Sequence, residues 1–218
     1  MSGTVVVLSA SPDMPHALEI PPGATVIAAD GGADHARQLG LRVDLLVGDL
    51  DSVSEKTLAE CERVERHPVD KEATDLELAL SAALELEPER IIVLGGSAGR
   101  LDHLFAGILL LASDRYAGSR VDAQFGEATV HVIRGKRRLS GEIGDLISLF
   151  AVHGSAMGVR TEGLVYRLSG QTLEPGTSRG VSNVFAETHV VIAVERGVVV
   201  AVRPNGIVTV ESSDRLRP

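Results

Sequence analysis

Four short apolar runs in the first hundred residues each break off into polar or glycine-rich sequence. They are Val5-Val6-Val7-Leu8, Thr25-Val26-Ile27-Ala28-Ala29, Leu45-Leu46-Val47 and Ile91-Ile92-Val93-Leu94. Short runs of this kind, rich in β-branched side chains and bounded by turn residues, read as buried strands. Segments of helical character lie between and after them. Ala33 to Leu39 is closed by Gly40, and Ser54 stands as N-cap to a helix running to Glu62. Thr74 and Glu77 form a capping box ahead of Leu76, Ala79, Leu80, Ala83 and Leu84, which share one helical face. Leu104, Phe105, Ile108, Leu109 and Ala112 give a further helix its apolar stripe. Ser9 to Gly23 reads as a loop with one helical turn, and Val64 to Val69 as a short strand limited by Pro68. Strand–helix alternation of this sort predicts an α/β fold, a mostly parallel sheet with helices on both faces.

The pattern changes near Gln124 to Glu127. Thr129 to Ile133, Leu146 to Val152, Val159 to Tyr166 and Val190 to Val202 are strand-like, with Gly, Asp and Pro turns between them. Glu195-Arg196-Gly197, between two valine-rich runs, reads as a hairpin turn. The basic cluster Arg134 to Arg138 reads as a solvated hairpin. Two domains are expected: α/β over residues 1–125 and an all-β sandwich over 126–218.

Candidate chemistry collects where the first strands end. Val47-Gly48-Asp49-Leu50-Asp51-Ser52 places two carboxylates just beyond a buried strand, at the sheet edge where α/β folds bind ligands. Acids held that close repel unless a cation lies between them, and carboxylate oxygens suit Mg²⁺, often together with phosphate. The plainer reading is a solvated acidic turn. An EF-hand fits poorly, because Val53 cannot be a ligand and Ser54 stands where Gly is needed. Asp30-Gly31-Gly32 offers backbone close to a helix start, or simply a βα turn capped by Asp30. Asp75, in the first turn behind Thr74, complements the helix dipole or adds a third metal ligand, with Lys71 near phosphate. Gly95 to His103 is neither a P-loop nor a dinucleotide fingerprint. It still brings backbone N–H groups, Arg100 and Asp102 to one helix start; His103 reads as a capping or surface histidine.

A formal net charge of −9 argues against a general nucleic-acid binder. Cys61 is the only cysteine, which fits a reducing cytoplasm. Neither a signal peptide nor a membrane-spanning run is expected.

Taken in order, Asp30-Gly31-Gly32-Ala33, Gly48 to Ser52, Asp70-Lys71-Glu72-Ala73-Thr74-Asp75 and Gly95 to His103 resemble the motifs of the thiamine pyrophosphokinase (thiamine diphosphokinase) family. Gly144 to Leu149, Thr161-Glu162-Gly163-Leu164 and Gly180-Val181-Ser182-Asn183 resemble its later motifs, so the likeness covers nearly the whole chain. The resemblance implies an N-terminal nucleotide-binding domain, a C-terminal β-sandwich and a homodimer with active sites between subunits. It implies transfer of the diphosphoryl group of ATP to thiamine, with Mg²⁺ held by Asp49, Asp51 and Asp75. Asp30 and Asp102 are then substrate or supporting residues. Gly31, Gly32, Lys71, Thr74, Gly96 and Arg100 lie on the ATP side; Tyr166, Ser182 and Asn183 lie on the thiamine side. The chain departs from the family pattern at Glu72, where aspartate is common, at Leu50, usually Phe, and at Tyr166, where animal members carry tryptophan. A pterin diphosphokinase, or a non-catalytic nucleotide- or thiamine-binding protein, stays open as an alternative.

Overall fold

A computed structural model describes residues 3–13, 20–206 and 208. The strands in chain order are β1 (Thr4–Ser9), β2 (Thr25–Ala29), β3 (Leu45–Gly48), β4 (Val64–Arg66), β5 (Arg90–Gly95), β6 (Arg120–Phe125), β7 (Ala128–Ser140), β8 (Leu146–Glu162), β9 (Ser169–Leu173), β10 (Asn183–Val184) and β11 (His189–Arg203). The helices are α1 (Gly32–Gln38), α2 (Glu55–Glu60), α3 (Asp75–Leu84) and α4 (Leu101–Leu111). The helical turn expected between Ser9 and Gly23 falls mainly on residues 14–19, outside the described ones.

One sheet runs in the order β10-β8-β11-β7-β6-β5-β1-β2-β3-β4, with β9 on β8. From β6 to β4 every pairing is parallel. From β6 through β7, β11 and β8 it is antiparallel. Successive residues of a strand face opposite ways, and both faces of the parallel part are apolar. Val5, Val7, Ile27, Ile91 and Val93 pack with Leu80 and Ala83 of α3 and Leu111 of α4. Val6, Leu8, Val26 and Ile92 pack with Ala36 of α1, and Ala28 and Leu46 form a smaller cluster with Ala33 of α1 and Leu58 of α2. Helices therefore cover both faces, as the strand–helix alternation requires.

Four expectations need correction. Glu195-Arg196-Gly197 is a bend inside β11, not a hairpin, because both limbs stay paired to the same two strands, β7 and β8, with a register shift between them. The segments 146–152 and 159–162 likewise belong to one long β8. Arg134 to Arg138 is not a solvated hairpin but part of β7, and Arg137 is buried. Phe105 does not join the buried stripe of α4 and is 61% exposed. The inward face instead runs Leu104, Gly107, Ile108 and Leu111, where Leu76 of α3 would lie 3.4 Å from a Cβ on Gly107. The bends in β7, β8 and β11 let their limbs enclose a separate core of Ile133, Leu149, Phe185, Ile192 and Val199. Among the described residues no helix is long and apolar enough to cross a membrane.

Candidate active site

The polar residues that follow β2 and β3 meet at the carboxyl edge of the parallel sheet. The Asp30 N–H donates to the Val47 carbonyl at 2.8 Å, which ties the end of β2 to β3. Asp30 and Leu50 both lie at positive φ, 46° and 68°, a region costly for a branched side chain such as leucine. Leu50 turns inward and is only 8% exposed, in the cluster of Ala28, Ala33 and Leu46. Asp49 and Asp51 on either side of it are left facing the edge. Gly48 is needed here: its φ is +149°, and a Cβ would lie 3.1 Å from both Asp30 Cβ and Asp75 Oδ1. Strain stored beside polar groups is characteristic of functional sites.

Asp30, Asp49 and Asp51 each offer a carboxylate oxygen within 4.8 Å of the other two. Lys71 Nζ stands 2.7 Å from Asp49 Oδ2 and 3.0 Å from Asp75 Oδ1. The hydrogen bond from Lys71 holds the Asp49 carboxyl below its usual range. Asp51, with no cation paired to it among the described residues, is pushed up by the charges of Asp49 and Asp30. One edge of Asp30 accepts from Ser52 Oγ, while its Oδ1 is buried without a hydrogen-bond partner among the described residues. An orphaned buried carboxylate oxygen beside two further acids fits an all-oxygen site for a hard cation. Asp30 does not cap α1 as its position suggested: the N-cap is Gly31, with no side-chain bond. Asp75 is not one of this trio, but its Oδ1 shares Lys71 with Asp49 and lies across Gly48 from Asp30.

A cleft of about 830 Å³ opens beside the acids, lined among others by Ser11, Asp30, Thr74, Asp75, Gly96 and Arg100. Thr74 caps α3 as predicted, its side chain accepting from the Glu77 N–H at 3.2 Å. Gly32 packs so closely on β1 that a Cβ would stand 2.3 Å from the Leu8 carbonyl oxygen. At the start of α4 the Arg100 guanidinium grips Asp102, Nε to Oδ1 at 2.9 Å, and holds that carboxyl well below the usual range. His103 also lines the cleft. The N–H groups of Ser97 and Ala98, expected to face a ligand, are already given to Asp13, at 3.0 and 2.8 Å. Asp13 was hidden in sequence because it stands in a proline-containing loop with no periodic pattern, 84 residues before its partner Ser97.

Tyr166, Ser182 and Asn183 form a second group. Asn183 is buried, its oxygen accepting from the Tyr166 N–H at 2.9 Å and its amide donating to the Tyr166 carbonyl at 2.7 Å. Ser182, at φ 57°, donates its N–H to Ser148 Oγ at 3.0 Å. Asn183 therefore clamps the backbone of Tyr166, a residue that is 65% exposed. Strands β8, β11, β7, β6, β5 and β1 intervene between β10 and β2. That separation is on the order of 30 Å measured along the sheet.

Two family models match this chain. The one described as thiamin pyrophosphokinase, catalytic domain, covers residues 21–121, and the one described as thiamin pyrophosphokinase, vitamin B1 binding domain, covers 130–199. The thiamine pyrophosphokinase of Bacillus subtilis (strain 168) is 39% identical over 71 residues, 29% of this chain and 32% of that one. The match thus spans about a third of that relative's length. Among solved structures, thiamine pyrophosphokinase from Bacillus subtilis superposes with a TM-score of 0.78 at 20% identity, covering 94% of this chain and 100% of its own. A thiamin pyrophosphokinase family protein from Enterococcus faecalis gives 0.78 at 23%, with the same coverage. Thiamin pyrophosphokinase from Candida albicans gives 0.70 at 15%, covering 93% and 89%. At such identities these structures speak for the fold.

Proposed function

The chain belongs to the thiamin pyrophosphokinase family, and from that premise we propose that it transfers the diphosphoryl group of ATP to the hydroxyl of thiamine, giving thiamine diphosphate and AMP. The observation that carries this reading is the convergence of Asp30, Asp49 and Asp51 at the sheet edge, with Lys71 between Asp49 and Asp75. Asp49 and Asp51 would hold Mg²⁺, with Asp30 beside them and Asp75 as the further candidate ligand. When bound, the ion supplies positive charge against the phosphate oxygens. The remaining work is positioning and electrostatics, the main source of rate in phosphoryl transfer. Lys71 places an ammonium beside the acids, where phosphate charge builds. Arg100 brings a planar fork to the cleft that Asp30 and Asp75 line, and is pre-oriented by Asp102. The thiamine oxygen bonds to the β-phosphorus and gives up its proton, while the bond from that phosphorus to the oxygen bridging to the α-phosphorus breaks, so that AMP leaves with the bridging oxygen.

In this reading residues 1–125 carry ATP and metal, and residues 126–218 carry thiamine and the dimer contact. Tyr166 offers a ring for the pyrimidine, held in place by Asn183, and Ser182 stands next to it. The strand order sets these residues far along the sheet from the acids. That separation supports a homodimer in which one subunit's β region completes its partner's site. In this reading the enzyme works in the cytoplasm, which its lone cysteine, Cys61, suits.

The purified chain, given ATP, thiamine and Mg²⁺, should form AMP and thiamine diphosphate in equal amounts. Turnover of a hydroxymethylpterin in place of thiamine, or ATP binding with no AMP released, would replace this reading. Sharing between subunits is checked by mixing an Asp49→Asn chain with a Ser182→Ala, Asn183→Ala chain, each inactive alone. In a mixed dimer with shared sites, one site carries both lesions and the other neither, so activity partly returns. No recovery, with mixed dimers verified by native mass spectrometry, would mean that each chain builds its own site.

A further inference from the structure

We propose that Asp13 is a positioning residue for the nucleotide, holding the glycine-rich loop after β5 in the conformation that presents Arg100 to the cleft. The proposal rests on the ATP-binding role given to that cleft. Asp13 stands in the loop after β1 and reaches across to the loop after β5. Its Oδ2 accepts from the Ser97 N–H at 3.0 Å and from Ser97 Oγ at 2.8 Å. Its Oδ1 accepts from the Ala98 N–H at 2.8 Å and from Ser11 Oγ at 2.9 Å. These bonds outweigh the upward push of burial and bring its carboxyl down to about 2.

The fit is close on every side. A Cβ on Gly96 would stand 2.0 Å from Asp13 Oδ1, and one on Gly126 would stand 3.0 Å from Asp13 Oδ2. The Gly126 N–H in turn donates to the Gly95 carbonyl at 3.0 Å. One carboxylate thus joins the loop after β1, the loop after β5 and the turn between β6 and β7. Consecutive backbone N–H groups in a glycine-rich loop form a natural anion seat. Here the protein's own carboxylate fills that seat, so phosphate is left to Arg100 and Lys71. A loop of Gly95, Gly96, Ser97, Ala98 and Gly99 has wide conformational freedom, and Asp13 removes it before the nucleotide arrives.

The test uses the full chain as wild type, Asp13→Ala and Asp13→Asn. The probe is α,β-methylene-ATP with Mg²⁺, which binds without turning over. The alanine variant should bind it roughly tenfold more weakly and raise KM for ATP similarly, leaving KM for thiamine unchanged. Its melting temperature should stay close to wild type, while amide hydrogen exchange at Ser97 and Ala98 speeds up. Asparagine keeps one accepting oxygen and should recover part of the affinity. Unchanged affinity for the analogue would overturn the proposal. So would a lower melting temperature and kcat with both KM values intact, since Asp13 would then be only a staple of the fold. A wild type that binds the analogue but forms no AMP from ATP and thiamine refutes the transferase reading and leaves the Asp13 comparison intact.

Discussion

Replacing Asp49 or Asp51 by asparagine is expected to leave the fold standing and to lower turnover by about a hundredfold or more. The shape of the loop depends on neither charge: the one bond a carboxylate makes within it, Asp49 Oδ1 accepting from the Asp51 N–H at 3.4 Å, can be kept by an asparagine oxygen. That shape is set by Gly48 at φ +149°, by Leu50 buried among Ala28, Ala33 and Leu46, and by the bond from the Asp30 N–H to Val47. Asparagine keeps the size of the side chain and removes its charge. At Asp51 that relieves repulsion, since Asp49 and Asp30 already push its carboxyl up. Stability should therefore hold while the cation loses a negatively charged ligand. At Asp49 the substitution also takes the 2.7 Å partner from Lys71, which keeps Asp75. Three measurements on one preparation decide the matter: melting temperature, turnover with Mg²⁺ limiting, and Mn²⁺ affinity by electron paramagnetic resonance. Wild-type turnover and wild-type Mn²⁺ affinity in both variants would remove these acids from the metal site.

Asp122→Asn should have the opposite profile, a large loss of stability with no direct contact to substrate. Asp122 is fully buried on β6. Its Oδ2 accepts from Arg90 at 2.9 Å and lies 3.4 Å from Arg120, and its Oδ1 accepts from His131 at 2.8 Å and from Arg137. Burial alone would raise the carboxyl, but Arg137, His131 and Arg90 outweigh it and hold it well below the usual range. His131 is pushed down by its own burial, against the pull of Asp122 beside its Nδ1. Removing this anion takes the carboxylate from Arg137, itself buried, and leaves its charge with only the carbonyls of Val121 and Val132 among the described residues, which costs about 3–5 kcal/mol. For a chain of this size that is a fall in melting temperature of about 6–20 °C. Arg137→Met in the same background should restore part of it, since that unanswered charge is then gone.

The same group ties stability to pH. Its folded pKa lies below the unfolded value, so its contribution is present above the ordinary carboxylate pKa of about 4. That contribution is lost as pH falls through the folded value. Wild type should thus shed stability on acidification, and Asp122→Asn should shed less over the same window. Equal melting temperatures for the two proteins at neutral pH would show that the cluster contributes nothing.

What local sequence determines here is the set of elements and the chemistry at their ends. β1, β2, β3 and β5 were legible because each is an uninterrupted apolar run ended by a turn. α3 was legible because Thr74, Glu77 and the Leu76–Leu80–Leu84 spacing all point the same way. The paired acids Asp49 and Asp51 were legible because the signal lies within six residues. Partnership across the chain was decided only by the tertiary structure. Arg137 read as a surface charge until β6 and β7 paired and set Asp122 against it, 15 residues away. Glu195 to Gly197 carries every local sign of a hairpin, yet it is a bend because β7 and β8 continue alongside both limbs. Asp30 looked like a helix cap and became the third member of an acid cluster once Asp49 and Asp51 came within reach. Asp13 found its partner 84 residues on. Periodicity reports which face of an element is apolar. It carries no information about which distant charge will answer a polar group once burial removes water as a partner, and only the packed sheet supplies that.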